Sequence, residues 1–296
     1  MTDILERVIS EAGDFFGVAC NTTSLVSEAC RRHDVGPLAA AALGRALTGN
    51  ALLAALLKDD QSVLLKFEGN GPLKKIITEA GYNGWTRGYV KKPHADLPLK
   101  DGQIDVAGGV GHAGLLTVVK NISENQRYPG TTPLYTSEIG EDIAYYLAQS
   151  EQTPSTIGLT VHLKPDGTIA AAGGFLIQSL PPADETALTH IEKEIKILPP
   201  LSELFGSGKS PADILSLLFK NVSHKKIHSK PLSYSCSCSH EKMEGALISL
   251  GRRDLQQLLE DEARAEVRCE FCRQSYEFIK NDLIELIKKT SRNTEK

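Results

Sequence analysis

Runs of apolar residues interrupted by polar positions predict β-strands through most of the first 180 residues. The runs are rich in Val, Ile, Leu and Phe, and clusters of Gly, Asn and Pro separate them, as is usual between strands. The predicted strands cover residues 16–21, 62–69, 74–80, 86–92, 114–121, 157–164 and 168–180. This part of the chain is therefore expected to contain a large amount of sheet.

Apolar residues at helical spacing predict helices in the same region. Thr22 or Thr23 can cap the first helix. The residues expected on its apolar face are Leu25, Val26, Ala29 and Cys30. Pro37 opens an Ala-rich stretch that reaches Leu57, which we predict to be a closely packed, buried helix pair. A further helix is predicted over residues 138–149.

Helices and strands are unevenly interspersed, which favours an α+β fold over a regular βαβ series. We predict three parts: a mixed α+β core domain over residues 1–180, an amphipathic helical linker over residues 181–231 and a small C-terminal four-cysteine zinc domain over residues 232–296. The linker prediction depends on the apolar spacing of residues 184–197 and on a second helix capped by Ser210. Such amphipathic faces need to be covered by other apolar surface.

The C-terminal part is predicted to contain helices over 241–250 and 254–262 and a final helix capped by Asn281. Only a thin set of apolar residues is available to its core. A module of roughly 65 residues with so little core usually needs a disulfide or a metal for stability.

Net charge and the N-terminal sequence limit the classes of protein to consider. The 296 residues carry a formal charge of -4, so no overall basic field exists to attract nucleic acid or an anionic membrane. The first ten residues lack a basic start followed by an apolar run, which indicates no secretory signal. Arg45 would cost about 2.5–3.5 kcal/mol at the centre of a membrane span. We therefore expect a cytoplasmic protein without membrane contact, whose cysteines stay reduced.

Four of the six cysteines form two close pairs, Cys236-x-Cys238 and Cys269-x-x-Cys272, thirty residues apart. Two such pairs can supply the four thiolates of a tetrahedral zinc site. An iron–sulfur cluster is the alternative, but two pairs suit a single zinc ion better. The second pair is predicted to lie in a turn between two strands. Four protein ligands leave no open position for a catalytic water. An enzyme with a structural zinc is a second alternative, but no nucleotide or hydrolase motif supports it, and we expect no enzyme.

Other motifs are weaker. Cys20 and Cys30 are expected to be core cysteines. Residues 109–114 match a dinucleotide-binding pattern, but a strand-like run follows them, so a turn before a strand is favoured. Residues 206–210 are interpreted as a loop-to-helix junction. The alternative function is a zinc-ribbon nucleic-acid-binding protein, although residues 220–296 carry 15 Lys and Arg against 12 Asp and Glu and show no basic stripe.

Several motifs along the chain have to be considered together. They are the four cysteines with Tyr276 and Phe278, Arg87–Val90, Glu138–Tyr146, Ser150–Gln152 and Ala172–Gln178. Together these motifs resemble the redox-regulated holdase chaperones of bacteria, the 33 kDa chaperonin family. The resemblance covers essentially the whole chain, and one departure is Gly140, where Ala is expected.

The resemblance implies a mechanism. The reduced protein would bind one zinc ion through Cys236, Cys238, Cys269 and Cys272 and be inactive. Under oxidative stress, disulfides Cys236–Cys238 and Cys269–Cys272 would form, zinc would leave, and the C-terminal domain and linker would unfold. The resulting homodimer would capture unfolded or oxidatively damaged client proteins without ATP and prevent their aggregation.

Overall fold

A computed structural model of the chain describes residues 2–123, 126–182 and 184–293, which divide into two units, Met1–Ser235 and Cys236–Lys296. The first unit mixes sheets and helices, and the second contains the four clustered cysteines. The predicted α+β fold class is confirmed. The division into core, linker and zinc domain stays a prediction about function, since residues 181–231 fold within the first unit.

Five antiparallel strands form one sheet of the first unit. Their spatial order is β10 (His224–Pro231), β1 (Ile4–Ser10), β2 (Phe15–Asn21), β9 (Ile169–Ser179) and β8 (Ser155–Leu163). The strand β10 comes from the end of the predicted helical linker, so that part of the linker prediction is wrong. Residues 224–231 pair with β1 along its whole length, from Ile4↔Pro231 to Ser10↔His224. This pairing gives the segment a strand conformation that its own sequence does not predict.

The second sheet of this unit has six strands. Their order is β11 (Ser233–Tyr234), β5 (Trp85–Val90), β4 (Lys75–Gly81), β3 (Ser62–Gly69), β6 (Gly114–Ser123) and β7 (Gln126–Pro133). All neighbours are antiparallel except β11 and β5, which are parallel. The chain therefore passes from the edge of one sheet, at β10, to the edge of the other, at β11.

The helix α2 (Pro37–Ala54) contacts both sheets and is buried everywhere except at Pro37 and Arg45. The Ala-rich stretch is thus one continuous helix, and the predicted helix pair is wrong. Its small residues permit close packing: a Cβ atom on Gly44 would lie 2.7 Å from Val26 Cγ1. The other helices here are α1 (Thr23–His33), α3 (Val106–Val110) and α4 (Ile139–Ser150).

The first amides of α1 are hydrogen-bonded by Asp3, the residue that precedes β1. Thr22 occupies the N-cap position, but its side chain makes no capping hydrogen bond. The Asp3 carboxylate accepts from the amides of Ser24 and Leu25, at 3.0 and 2.5 Å. Thr22 Oγ1 lies 2.7 Å from Thr48 Oγ1 on α2 instead. The helix and Thr22 as its N-cap residue were predicted correctly, but the expected capping hydrogen bond comes from Asp3 instead.

Three helices of the predicted linker cover the five-stranded sheet. They are α5 (Glu185–Ile197), α6 (Leu201–Gly206) and α7 (Pro211–Leu218), and Ser210 caps α7 in a reciprocal capping box as predicted. The apolar cluster between helices and sheet, which we call the linker core, contains Val8, Phe15, Ala19, Ala171, Phe175, Ile177, Ile191, Leu204, Phe205, Ile214, Leu215, Leu218 and Phe219. The amphipathic faces are therefore covered by sheet residues.

The second unit consists of α8 (His240–Ile248), α9 (Arg252–Asp261), the hairpin β12 (Arg264–Arg268) and β13 (Ser275–Ile279), and α10 (Lys280–Asn293). The buried apolar core of its described residues is small: Leu247, Leu255, Phe278, Leu283 and Leu286. Asn281 does not cap α10, because the helix already begins at Lys280 and the Asp282 carboxylate accepts the Ile279 amide. None of the helices in the described ranges has the length and apolar character that crossing a bilayer requires.

Candidate metal centre

Cys236 and Cys238 lie in the irregular segment that precedes α8. Ser239 caps this helix by accepting the Lys242 amide at 3.3 Å. The Lys242 ammonium group donates back to Ser237, to its carbonyl oxygen at 2.7 Å and its hydroxyl at 3.1 Å. The segment that carries the first cysteine pair is therefore tied to the first turn of α8.

Cys269 and Cys272 lie in the turn between β12 and β13, as the sequence predicted. The Cys269 amide donates to the Gln274 carbonyl at 2.9 Å, and the Arg273 amide donates to the Cys269 carbonyl at 2.8 Å. Arg273 adopts a left-handed conformation (φ 62°) that closes the turn. Backbone amides of Phe271 and Cys272 donate to Cys269 Sγ. This geometry directs partial positive charge towards the sulfur atoms.

The two turns bring all four Sγ atoms within 4.8 Å of one another. The Cys236–Cys269 sulfur distance is 3.8 Å and the Cys238–Cys272 distance is 3.3 Å. A tetrahedron with metal–sulfur bonds of about 2.3 Å has edges of about 3.8 Å. Four converging thiols are a donor set for a soft or borderline metal. The residues therefore fit a metal ion, and zinc as its identity remains a prediction.

The thiols differ in burial and in acidity. Cys269 and Cys272 are buried, whereas Cys236 and Cys238 are half-buried. Burial raises the pKa of Cys269, and it raises that of Cys272 to about 12. At Cys238 burial acts in the same direction, but hydrogen bonds from Tyr276 and the neighbouring thiols outweigh it and lower the pKa to about 7. Of these three thiols, Cys238 ionises most readily.

Tyr276 contacts the cluster from β13. Its hydroxyl donates to Cys238 Sγ at 3.1 Å, and this hydrogen bond raises the Tyr276 pKa to about 12, so the hydroxyl remains protonated. The sequence identified Tyr276 only as part of a motif, because spacing does not reveal which strand residue reaches a sulfur atom. His240, interpreted as a surface residue, is half exposed and places its ring 4.3 Å from that of Phe278.

The remaining candidates have structural partners. Cys20 is completely buried and Cys30 is half-buried; burial raises the pKa of both thiols, that of Cys30 to about 12. The turn-before-strand interpretation of residues 109–114 is confirmed, since α3 ends at Val110 and β6 begins at Gly114. Residues 206–210 connect α6 to α7, as expected.

The chain is similar to chaperones along nearly its whole length. A family described as Hsp33 protein matches residues 3–279. The 33 kDa chaperonin of Desulfotalea psychrophila is 62% identical over 287 residues, which cover 97% of this chain and 98% of that protein. The 33 kDa chaperonin of Geobacter sulfurreducens is 48% identical, with 96% and 94% covered. The crystal structure of the Thermotoga maritima 33 kDa chaperonin superposes with a TM-score of 0.92 at 33% identity, covering 99% of this chain and all of that one.

Proposed function

This chain belongs to the Hsp33 family of 33 kDa chaperonins, and from that premise we propose that it is a redox-regulated, ATP-independent holdase without enzymatic activity. The observation that carries the proposal is the cluster of four thiols within 4.8 Å in a unit with a very small core. Metal binding and oxidation compete for the same sulfur atoms. A single chemical event can thus change the stability of the whole unit.

The reduced cluster would hold one zinc ion through Cys236, Cys238, Cys269 and Cys272. Bound zinc keeps the sulfurs as thiolates and contributes roughly 10–16 kcal/mol to the folding of small domains. Among its described residues, the second unit has only five buried apolar side chains at the centre of its core. A unit of this size is too small for apolar burial alone to stabilise its fold, so we expect its stability to depend on the metal.

Oxidants such as peroxide or hypochlorous acid attack thiolates. As the resemblance implies, disulfides Cys236–Cys238 and Cys269–Cys272 then form and can no longer serve as thiolate ligands. The second unit loses its main source of stability and unfolds. The proposed location is the cytoplasm, where reducing conditions keep such cysteines as thiols in the absence of oxidative stress.

The linker core supplies a surface for client proteins. Helices α5–α7 cover apolar residues of β1, β2 and β9, among them Phe15 and Phe175. When the linker detaches, both the sheet face and the helix faces are exposed. Apolar patches of this kind bind the exposed segments of unfolding proteins, or a second copy of the chain in the active homodimer.

The test is to treat the reduced, zinc-loaded protein with hypochlorous acid and follow light scattering from a thermally unfolding client. We expect zinc release, loss of free thiols and suppressed scattering. Cys30→Ser is the matched control, because it removes a half-buried thiol outside the cluster and should respond like the wild type. Zinc release with unchanged client aggregation would contradict the holdase proposal.

A further inference from the structure

The pairing of β1 with β10 brings basic side chains together on one face of the five-stranded sheet. Leu5 lies opposite Lys230, and Arg7 lies opposite His228. Residues directly opposite each other in an antiparallel pair point to the same side of the sheet, and so do alternate residues of one strand. Arg7, His228 and Lys230 therefore share a face, on which Arg7 and Lys230 are diagonal neighbours.

The sequence of β10 makes this face basic. The strand contains three Lys and two His in eight residues, and the chain has no Asp or Glu between Ile214 and His240. The carboxylate of β1, that of Glu6, lies on the opposite face of the sheet. It already pairs there with the Lys226 ammonium group at 2.7 Å and accepts the Ser229 hydroxyl at 2.8 Å.

The charged groups of Lys230 and Arg7 lie against aromatic rings. Lys230 is 7% exposed; its ammonium group donates to the Tyr82 carbonyl oxygen and lies 3.4 Å from the centroid of the Tyr82 ring. Arg7 is half-buried, with its guanidinium carbon 4.9 Å from the centroid of the Phe16 ring and its Nε enclosed without a hydrogen-bond partner. Within the described ranges, neither cation forms an ion pair with a carboxylate.

Two such cations are unfavourable neighbours unless an anion joins them. Close like charges destabilise a strand pair, and buried charges normally have a partner of opposite sign. Burial lowers the pKa of Lys230, the charge of Arg7 lowers it further, and the exposed Asp59 only partly offsets these two effects. Asp3, further along the same face, is already bonded to the first amides of α1. The described part of the chain therefore supplies no anion for this pair.

The geometry points to a binding site for one compact phosphate-type oxyanion, held between Arg7 of β1 and Lys230 of β10 with His228 beside them. A planar guanidinium group can offer two parallel N–H donors to such an anion, and an ammonium group adds a point charge from the neighbouring strand. Phosphate has enough oxygen atoms to accept from both groups at once. The site lies apart from the four cysteines and does not depend on the proposed redox function.

Orthophosphate and the phosphoryl group of a larger molecule share this chemistry. A single pair of cations fits one phosphoryl group, whereas binding to a nucleic-acid backbone uses many phosphate contacts along a longer surface. The bound anion would join β1 to β10, which is the last strand of the five-stranded sheet in chain order. A ligand that binds only the paired strands stabilises that pairing.

The test is a calorimetric titration of the reduced, zinc-loaded full chain with orthophosphate at constant ionic strength. We expect one phosphate per chain with a Kd of about 1 mM or lower, the affinity of roughly two charge-assisted hydrogen bonds. Arg7→Gln and Lys230→Met each remove one charge and should weaken binding by about 10- to 100-fold. Lys220→Met is the matched control, because it removes an exposed lysine outside β10 and should bind like the wild type.

Hydrogen exchange supplies a second readout. Saturating orthophosphate should slow exchange of the β10 amides in the wild type and in Lys220→Met, but not in Arg7→Gln, which decides the question if Lys230→Met fails to fold. Titration with pyrophosphate separates the two sources: tighter binding than orthophosphate supports a phosphoryl group of a larger molecule, and weaker binding supports orthophosphate itself. No saturable binding by the wild type, or the same affinity in wild type and Arg7→Gln, would overturn the proposal. An equal loss in Lys220→Met would also reject it, as an effect of net charge alone.

Discussion

Phe219→Ala should detach the linker without any oxidant. Phe219 follows α7, is completely buried, and lies against β2 so closely that a Cβ atom on Gly17 would be 2.6 Å from its ring. Truncating a buried Phe to Ala costs about 3–5 kcal/mol. Because Phe219 packs against β2 within the linker core, much of this loss should weaken the docking of the linker on the sheet.

The magnitude can be expressed as a population. Since about 1.4 kcal/mol corresponds to a tenfold change in an equilibrium constant, the undocked fraction should rise by roughly 10²- to 4 × 10³-fold. We expect hydrogen exchange of the amides of α5–α7 to accelerate by this factor while the amides of β9 retain their protection. The reduced, zinc-loaded variant should also suppress client aggregation.

Leu217→Ala is the control for this experiment. Leu217 lies on the same helix but is 37% exposed and outside the linker core, so it should change exchange by less than about tenfold. Wild-type exchange of α7 in Phe219→Ala would refute the assignment of this contact to docking. Rapid exchange without client protection would instead refute the linker core as the client surface.

Four further outcomes are expected. Gly140→Ala should raise the free energy of unfolding by about 0.5–1 kcal/mol in denaturant titrations, since the added Cβ atom meets the Ile157 carbonyl oxygen at an ordinary 3.4 Å. Burial alone would raise the pKa of Asp14, but hydrogen bonds from the Ser10 hydroxyl and the Asp184 amide outweigh burial and lower the pKa. The stability that this carboxylate contributes is present above its unfolded-state pKa of about 3.9 and is lost as the pH falls through the lower folded-state pKa. Thermal melts below about pH 4 should therefore show a loss of stability that Asp14→Asn lacks. Removing metal from the reduced protein with a chelator should abolish the helical circular-dichroism signal of α8–α10 and leave that of the first unit, and retention of the full signal would show that metal does not stabilise the second unit. Gel shifts with RNA or DNA should show no salt-dependent binding, and a steep salt dependence would favour the nucleic-acid alternative.

The sequence predicted the strands that have apolar residues facing a core. The prediction for β3 matches the observed strand at both ends, and β2, β4, β5, β6, β8 and β9 agree to within about two residues. It missed the edge strands β7, β10 and β11, and it also missed β1, which lies between β10 and β2. Residues of β7 are mostly exposed and include Pro129 and Gly130, while β10 is rich in Lys and His. An exposed edge segment adopts a strand conformation because it pairs with a neighbouring strand. The pattern of apolar residues within the segment reveals little about that pairing.

The cluster was more predictable than its surroundings. Cysteine spacing alone was enough to group the four thiols, because two tight turns can each supply two ligands. The contacts of Tyr276 and Lys242 with the cluster depend on how the hairpin and α8 pack in three dimensions. Those contacts follow from tertiary structure and leave no periodic signal in the sequence.

The pairing of β1 with β10 has a consequence for synthesis on the ribosome. Residue 4 lies beside residue 231, so the five-stranded sheet cannot close until more than two hundred further residues have been translated. At about 5–20 residues per second, the nascent chain waits roughly 10–45 s with one side of β1 unpaired. Nascent copies of this protein therefore expose a strand edge for most of their own production, and they should be among the chains that depend on ribosome-bound factors for protection.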